Sequence, residues 1–169
     1  MSKNGNWTAR DIPDQSGRVA IVTGANSGIG YETALALAEH GATVIMACRN
    51  LDKANAAADQ IRQSKPAGTV VVMQLDLGDL DSVRSFAAEF RANYDRLDLL
   101  INNAGIMIPP HGRTAQGFES QFGVNHLGHF ALTGLLLDLV LQTPGSRIVA
   151  VSSGAHRFGA IDFDDLQWE

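Results

Sequence analysis

Val19-Ala20-Ile21-Val22-Thr23-Gly24-Ala25-Asn26-Ser27-Gly28-Ile29-Gly30 narrows the fold more than any other stretch of the chain. An apolar run of strand character meets a turn holding three glycines, and a helical pattern follows. Positions without side chains let backbone amides approach a phosphate closely. The helix behind them offers unpaired N–H groups and the positive end of its dipole. The glycines fall at Gly24, Gly28 and Gly30, a G-x3-G-x-G spacing distinct from the commoner G-x-G-x-x-G. Taken alone, such a turn also fits a plain strand-to-helix connection.

The rest of the chain repeats the strand-then-helix theme. Arg18–Thr23 is nearly continuous in apolar residues, as strands buried on both faces of a parallel sheet are. Ile29–His40 carries Ile29, Thr33 and Leu37 on one stripe, with Gly41 as a stop. Ala42–Cys48 reads as a second buried strand. Asn50 is placed to cap a helix from Leu51 to about Gln63, closed by Pro66 and Gly68. Thr69–Leu75 is a third strand. Asp79–Asn93 shows helical spacing through Leu80, Val83, Phe86, Ala87 and Phe90. Leu97–Ile101 is a fourth strand, and Thr114 to about Leu141 reads as one long helix through Phe118, Phe122, Leu132, Leu136 and Leu139. Pro144-Gly145 ends it, and Arg147–Val151 is a fifth strand.

Such alternation predicts an α/β protein with a doubly wound parallel sheet. Right-handed crossovers give the strand order 3-2-1-4-5, with a ligand cleft at the strands' C-terminal ends between strands 1 and 4.

Size and charge limit what this protein does. The 169 residues suffice for one domain, expected over residues 18–169, with 1–17 as an exposed lead-in arm. A content of 45% hydrophobic and 18% charged residues is that of a soluble globular chain. A net charge of −5 without Lys/Arg runs argues against a nucleic-acid or anionic-membrane partner. The polar N-terminus and apolar stretches shorter than a ~20-residue span lead us to expect no signal peptide and no membrane anchor. The lone Cys48 forms no internal disulfide, so a cytoplasmic location is expected.

Three segments lie just past strand ends: the glycine turn, Asn102-Asn103-Ala104-Gly105, and Ser152-Ser153. Together with Asp76-Leu77 after strand three and Val124-Asn125-His126-Leu127-Gly128-His129-Phe130 in the long helix, they resemble the short-chain dehydrogenase/reductase family. The last motif is similar to its retinol-dehydrogenase-like branch. The resemblance runs from about Arg18 to the chain end and implies a Rossmann-type sheet lacking its last strands and helices.

By that resemblance Gly24, Asn26, Ser27, Gly28, Ile29 and Gly30 hold the pyrophosphate of a nicotinamide cofactor. Asp76 and Leu77 meet the adenine, Asn102, Ala104 and Gly105 pass beneath the adenosine ribose and support the sheet, and Asn103 is a further cofactor-binding residue. The plainer reading of Asp76 is a loop carboxylate facing water. Ser153 is the expected catalytic hydrogen-bond donor beside a substrate carbonyl, and Asn125 the helix asparagine of a proton relay. His126 and His129 read as structural, since no further ligand joins them and no metal site is expected. His156 either shapes the substrate pocket or is a loop histidine, and Cys48 reads as packing.

Cofactor preference follows from charge. NAD-binding folds place an acidic residue ~20 residues past the turn, where it accepts from the ribose 2′-OH. Here the sequence is Ala47-Cys48-Arg49-Asn50, and a guanidinium suits a 2′-phosphate. NADP(H) is therefore expected, with Arg49 discriminating and Asn50 beside it, and NAD(H) as the alternative.

One component of the family pattern is missing. A tyrosine acid/base, with a pKa near ~10 when unperturbed, needs a lysine four residues later to work at neutral pH. Tyr31 is followed by Leu35, and Tyr94 by Asp98; both precede Ser153. The expectation is therefore an NADP(H)-dependent alcohol/carbonyl oxidoreductase acting on a lipophilic small molecule, of which this chain alone is inactive. The full-length form allows a homo-oligomer. A non-catalytic dinucleotide-binding or scaffold module is the alternative.

Overall fold

In the computed structural model, which describes residues 7–169, five parallel strands form one sheet in the order β3-β2-β1-β4-β5. They are β1 (Val19–Thr23), β2 (Thr43–Cys48), β3 (Thr69–Gln74), β4 (Leu99–Asn102) and β5 (Arg147–Ala150). Helices α1 (Gly28–Glu39), α2 (Leu51–Gln63), α3 (Leu80–Asn93) and α4 (Ser120–Gln142) connect them. The expected class and order are both present.

The two faces of the sheet explain the unbroken apolar strands. Ala20, Val22, Val44 and Met46 pack with Ala34, Leu37, Ala54 and Ile61 of α1 and α2. Ile21, Ile45 and Met73 point the other way, onto Phe86 and Phe90 of α3 and Leu132 and Leu136 of α4. A strand covered on both sides has no solvent face and so loses the polar alternation of a one-sided sheet.

Local chemistry sets the helix ends. Asn50 Oδ1 accepts from Lys53 N at 2.9 Å, and Asp79 Oδ1 from Asp81 N at 2.9 Å, each filling an orphan donor of a first turn.

Three sequence expectations need correction. The fourth helix begins at Ser120 rather than Thr114. Residues 114–119 instead form a turn in which Thr114 N donates to Phe118 O, with Gly117 at φ +85°. The Glu119 carboxylate then caps the helix through Gln121 N and Phe122 N. Inside α4, Gly123–Leu127 is a π turn, in which Gly128 N donates to Gly123 O.

The lead-in arm is not wholly exposed either. Its first six residues lie outside the described part, but Gln15 is only 4% exposed and its N–H donates to His40 O at 2.7 Å. Finally, apolar stretches are not all short. Over its 23 residues α4 is long and apolar enough to cross a membrane by length and composition. Its inner face is nonetheless committed to the core through Leu132, Leu136 and Val140.

β5 is a sheet edge with every residue exposed. Beside it the outer side of α4 presents Phe130, 72% exposed, and Leu141, 76% exposed.

Candidate functional site

β1 ends at the fully buried Thr23, and the chain turns at Gly24 with φ +66°. A Cβ at Gly24 would stand 3.0 Å from Ala104, and one at Gly30 only 2.5 Å from both Asn103 Nδ2 and Gly24 O. Any side chain at these positions would push the first turn of α1 away from the loop after β4. The glycines thus keep the helix N-terminus open for an anion.

Gly24, Asn26, Ser27, Ile29 and Gly30 line a cleft of about 370 Å³ at the C-terminal ends of the strands. Arg49, Asp76, Leu77, Asn103, Ala104 and Gly105 complete its wall. Of the residues expected to hold a cofactor, only Gly28 and Asn50 lie outside this lining. Gly28 opens α1, and the Asn50 carbonyl is engaged in capping α2.

Sequence reasoning missed Ala47, Leu75, Ile106 and Val124, which also line the cleft. They are apolar residues without chemical signature, and only their positions at strand ends and on α4 hinted at them. Cys48 lines it too, and burial pushes its thiol pKa up, which keeps it in the unreactive protonated form.

Each polar wall residue has a definite setting. Asp76 Oδ1 accepts from Gly78 N at 2.8 Å, which holds the carboxylate at the cleft's edge. Arg49 is exposed and makes no hydrogen bond or ion pair among the described residues, so its guanidinium is available to an anion. The Asn103 carboxamide donates to Thr23 O at 2.8 Å and thereby ties β4's loop to β1.

A second cleft of about 720 Å³ adjoins the first through Asn103, Ala104, Gly105 and Ile106. It holds Ser153 and Asn125, together with Met107, Ile108 and Phe130. Ser153 Oγ accepts from Ala155 N at 3.2 Å, so its hydrogen remains free to donate. The Asn125 carboxamide clamps one peptide group, accepting from Ile106 N at 2.8 Å and donating to Ile106 O at 2.9 Å.

The two histidines of the α4 motif diverge. His126 is exposed and stacks on Phe122 at 5.4 Å between ring centroids. His129 is buried, with Nε2 at 2.8 Å from Thr23 Oγ1. His156 borders a further cleft with His126, Ile161 and Trp168. No group of three or more potential metal-ligating side chains occurs among the described residues.

Neither tyrosine is placed as an acid/base. Tyr31 packs from α1 against the core, and Tyr94 stacks on Phe90 at 4.9 Å at the end of α3, before β4 begins. Tyr94 thus lies before the N-terminal end of β4, whereas Ser153 lies past the C-terminal end of β5.

Comparison with known proteins agrees with this geometry. A family model described as short chain dehydrogenase matches residues 18–163. Retinol dehydrogenase 13 of Homo sapiens is 54% identical over 153 residues, which are 90% of this chain and 46% of that protein. The crystal structure of an uncharacterized protein from Mycobacterium Paratuberculosis matches with a TM-score of 0.83 at 51% identity, covering 96% of this chain and 56% of that one. A metagenomic short-chain oxidoreductase in complex with NADP matches with a TM-score of 0.71 at 30% identity, covering 82% and 63%. The chain spans about half the length of the curated relatives it matches. It belongs to the short-chain dehydrogenase family, in the retinol-dehydrogenase-like branch.

Proposed function

We propose that this chain forms the cofactor-binding part of an NADP(H)-dependent oxidoreductase that interconverts a lipophilic alcohol and its carbonyl compound. The observation that carries this reading is the convergence of the glycine turn, Arg49, Asp76 and the Asn103–Gly105 loop on one cleft, with Ser153 in the cleft next to it. NADP is the ligand in two solved relatives, and several curated relatives carry the name retinol dehydrogenase.

The residues fit the cofactor physically. Amides of the Gly24–Gly30 turn and the α1 N-terminus suit a pyrophosphate. Arg49 offers two parallel N–H donors to a ribose 2′-phosphate, whereas a carboxylate there would repel it. Asp76 accepts from the adenine amino group while Leu77 covers the ring. Asn103 and Gly105 shape the floor under the ribose.

When bound, the nicotinamide supplies or accepts a hydride. Ser153 donates to the substrate oxygen and stabilises the negative charge that grows there. Asn125 holds the Ile106 peptide that separates the two clefts. Met107, Ile108 and Phe130 supply apolar surface for a lipophilic substrate. Neither tyrosine is placed to donate the proton, and on this reading the chain alone turns over negligibly.

Leu132, Leu136 and Val140 commit α4 to the core, and on this reading the protein works in the cytoplasm.

A non-catalytic dinucleotide-binding module is the second reading, favoured by the lack of a suitable tyrosine. The two separate in a longer protein containing this chain. There Ser153→Ala should cut turnover of a carbonyl panel by roughly a hundredfold while NADPH affinity stays within about twofold. An unchanged rate removes Ser153 from its role, and no turnover with any carbonyl favours the binding module.

A further inference from the structure

The hydroxyl of Thr23 has one hydrogen to give and two lone pairs to receive with. Asn103 N and Ala104 N both donate to its Oγ1 at 2.9 Å, which occupies the lone pairs. Two acceptors then compete for the hydrogen: Ile101 O at 3.4 Å and His129 Nε2 at 2.8 Å. The first lies beyond the ordinary O–H···O range and the second within hydrogen-bonding reach, so the hydrogen goes to the ring.

An Nε2 that accepts carries no proton. The ring's own hydrogen therefore sits on Nδ1, where the Asn125 backbone oxygen receives it at 3.0 Å. The other tautomer, or the imidazolium, would aim a hydrogen at an oxygen whose lone pairs are already taken. Both ring nitrogens are engaged and the ring is 6% exposed, so it does not carry protons to a substrate.

These contacts join three segments far apart in sequence. Thr23 immediately precedes the glycine turn. Asn103 and Ala104 form the loop after β4, which separates the two clefts. Asn125 stands in the π turn of α4, and its side chain grips Ile106.

We propose that His129, held in the neutral Nδ1–H tautomer, is the positioning residue that locks the glycine turn, the loop after β4 and the π turn into one cofactor cradle. The proposal rests on the dinucleotide reading above. The ring sets the distance between the cradle and the peptide held by Asn125, with both of its nitrogens engaged by the protein itself.

The tautomer can be read directly from imidazole nitrogen shifts of the 15N-labelled chain. His129 should show a pyrrole-type Nδ1 and a pyridine-type Nε2; the reverse pattern, or averaged shifts, overturns the assignment. Two variants test the role. His129→Phe keeps a ring but removes both the acceptor for the Thr23 hydrogen and the Nδ1 donor to Asn125 O, and should weaken NADPH binding about tenfold. His129→Gln, whose carbonyl can accept from Thr23, should recover most of that loss.

A folded Phe variant that binds NADPH like the wild type, or a Gln variant as weak as Phe, overturns the positioning role. Should the Phe variant not fold, the Gln comparison with the wild type decides alone. A wild-type chain with the stated tautomer but no NADPH binding instead overturns the dinucleotide reading, and the cradle role with it.

Discussion

Gly30 and Asn103 are packed so closely that a Cβ on residue 30 would lie 2.5 Å from the Asn103 carboxamide nitrogen. That same nitrogen donates to Thr23 O and holds the β4 loop against β1. Gly30→Ala should therefore cost about 1–3 kcal/mol of stability through overpacking and lower NADPH affinity with it. Gly134, in an open stretch of α4, is the control: Gly134→Ala should stabilise by roughly 0.5–1 kcal/mol through helix propensity alone. Urea midpoints of the two variants check both signs.

The sheet was legible because β1 and β2 are covered on both faces, and burial on both faces writes itself as unbroken apolar runs. The glycine turn was legible because only glycine tolerates the approaches at residues 24 and 30. The start of α4 was not, since Phe118 and Phe122 keep helical spacing while Gly117 and the Glu119 cap decide the boundary. Its π turn left no local signature. Thr23 and His129 stand 106 residues apart, and a single sequence does not announce which distant polar side chains will pair.

Two buried groups shape the acid response. Burial alone would raise the Asp98 pKa. Hydrogen bonds from Arg96 and Val19 N–H, with the charges of Arg96 and Arg18, overcome that and hold it below its ordinary value. Its contribution is present above the unfolded value of ~3.9 and is lost as the pH falls through the lower folded one.

For His129, burial first and the nearby His126 second depress the pKa, against a raising contribution from the Asn125 carbonyl. The unfolded ring binds its proton near ~6.5 while the folded ring resists, so stability declines as the pH drops below ~6.5 and is unaffected above it. Melting temperatures from neutral pH downward should show this first decline, and His129→Phe should flatten it. An identical decline in the variant contradicts the assignment.

The exposed β5 edge, with Ile148, Val149 and Val151 beside Leu141, is a template for association. Sedimentation of this chain should show concentration-dependent self-association, and Val149→Lys should shift it toward monomer. A monomer at every concentration contradicts this.

The central claim is that the cleft binds NADP(H) and uses Arg49 to prefer it. Parallel titrations of NADPH and NADH into the wild-type chain and into Arg49→Ser test it most directly. The wild type should bind NADPH about tenfold more tightly than NADH, and Arg49→Ser should remove that difference by weakening NADPH alone. Tighter binding of NADH by the wild type, or saturable binding of neither, would contradict it.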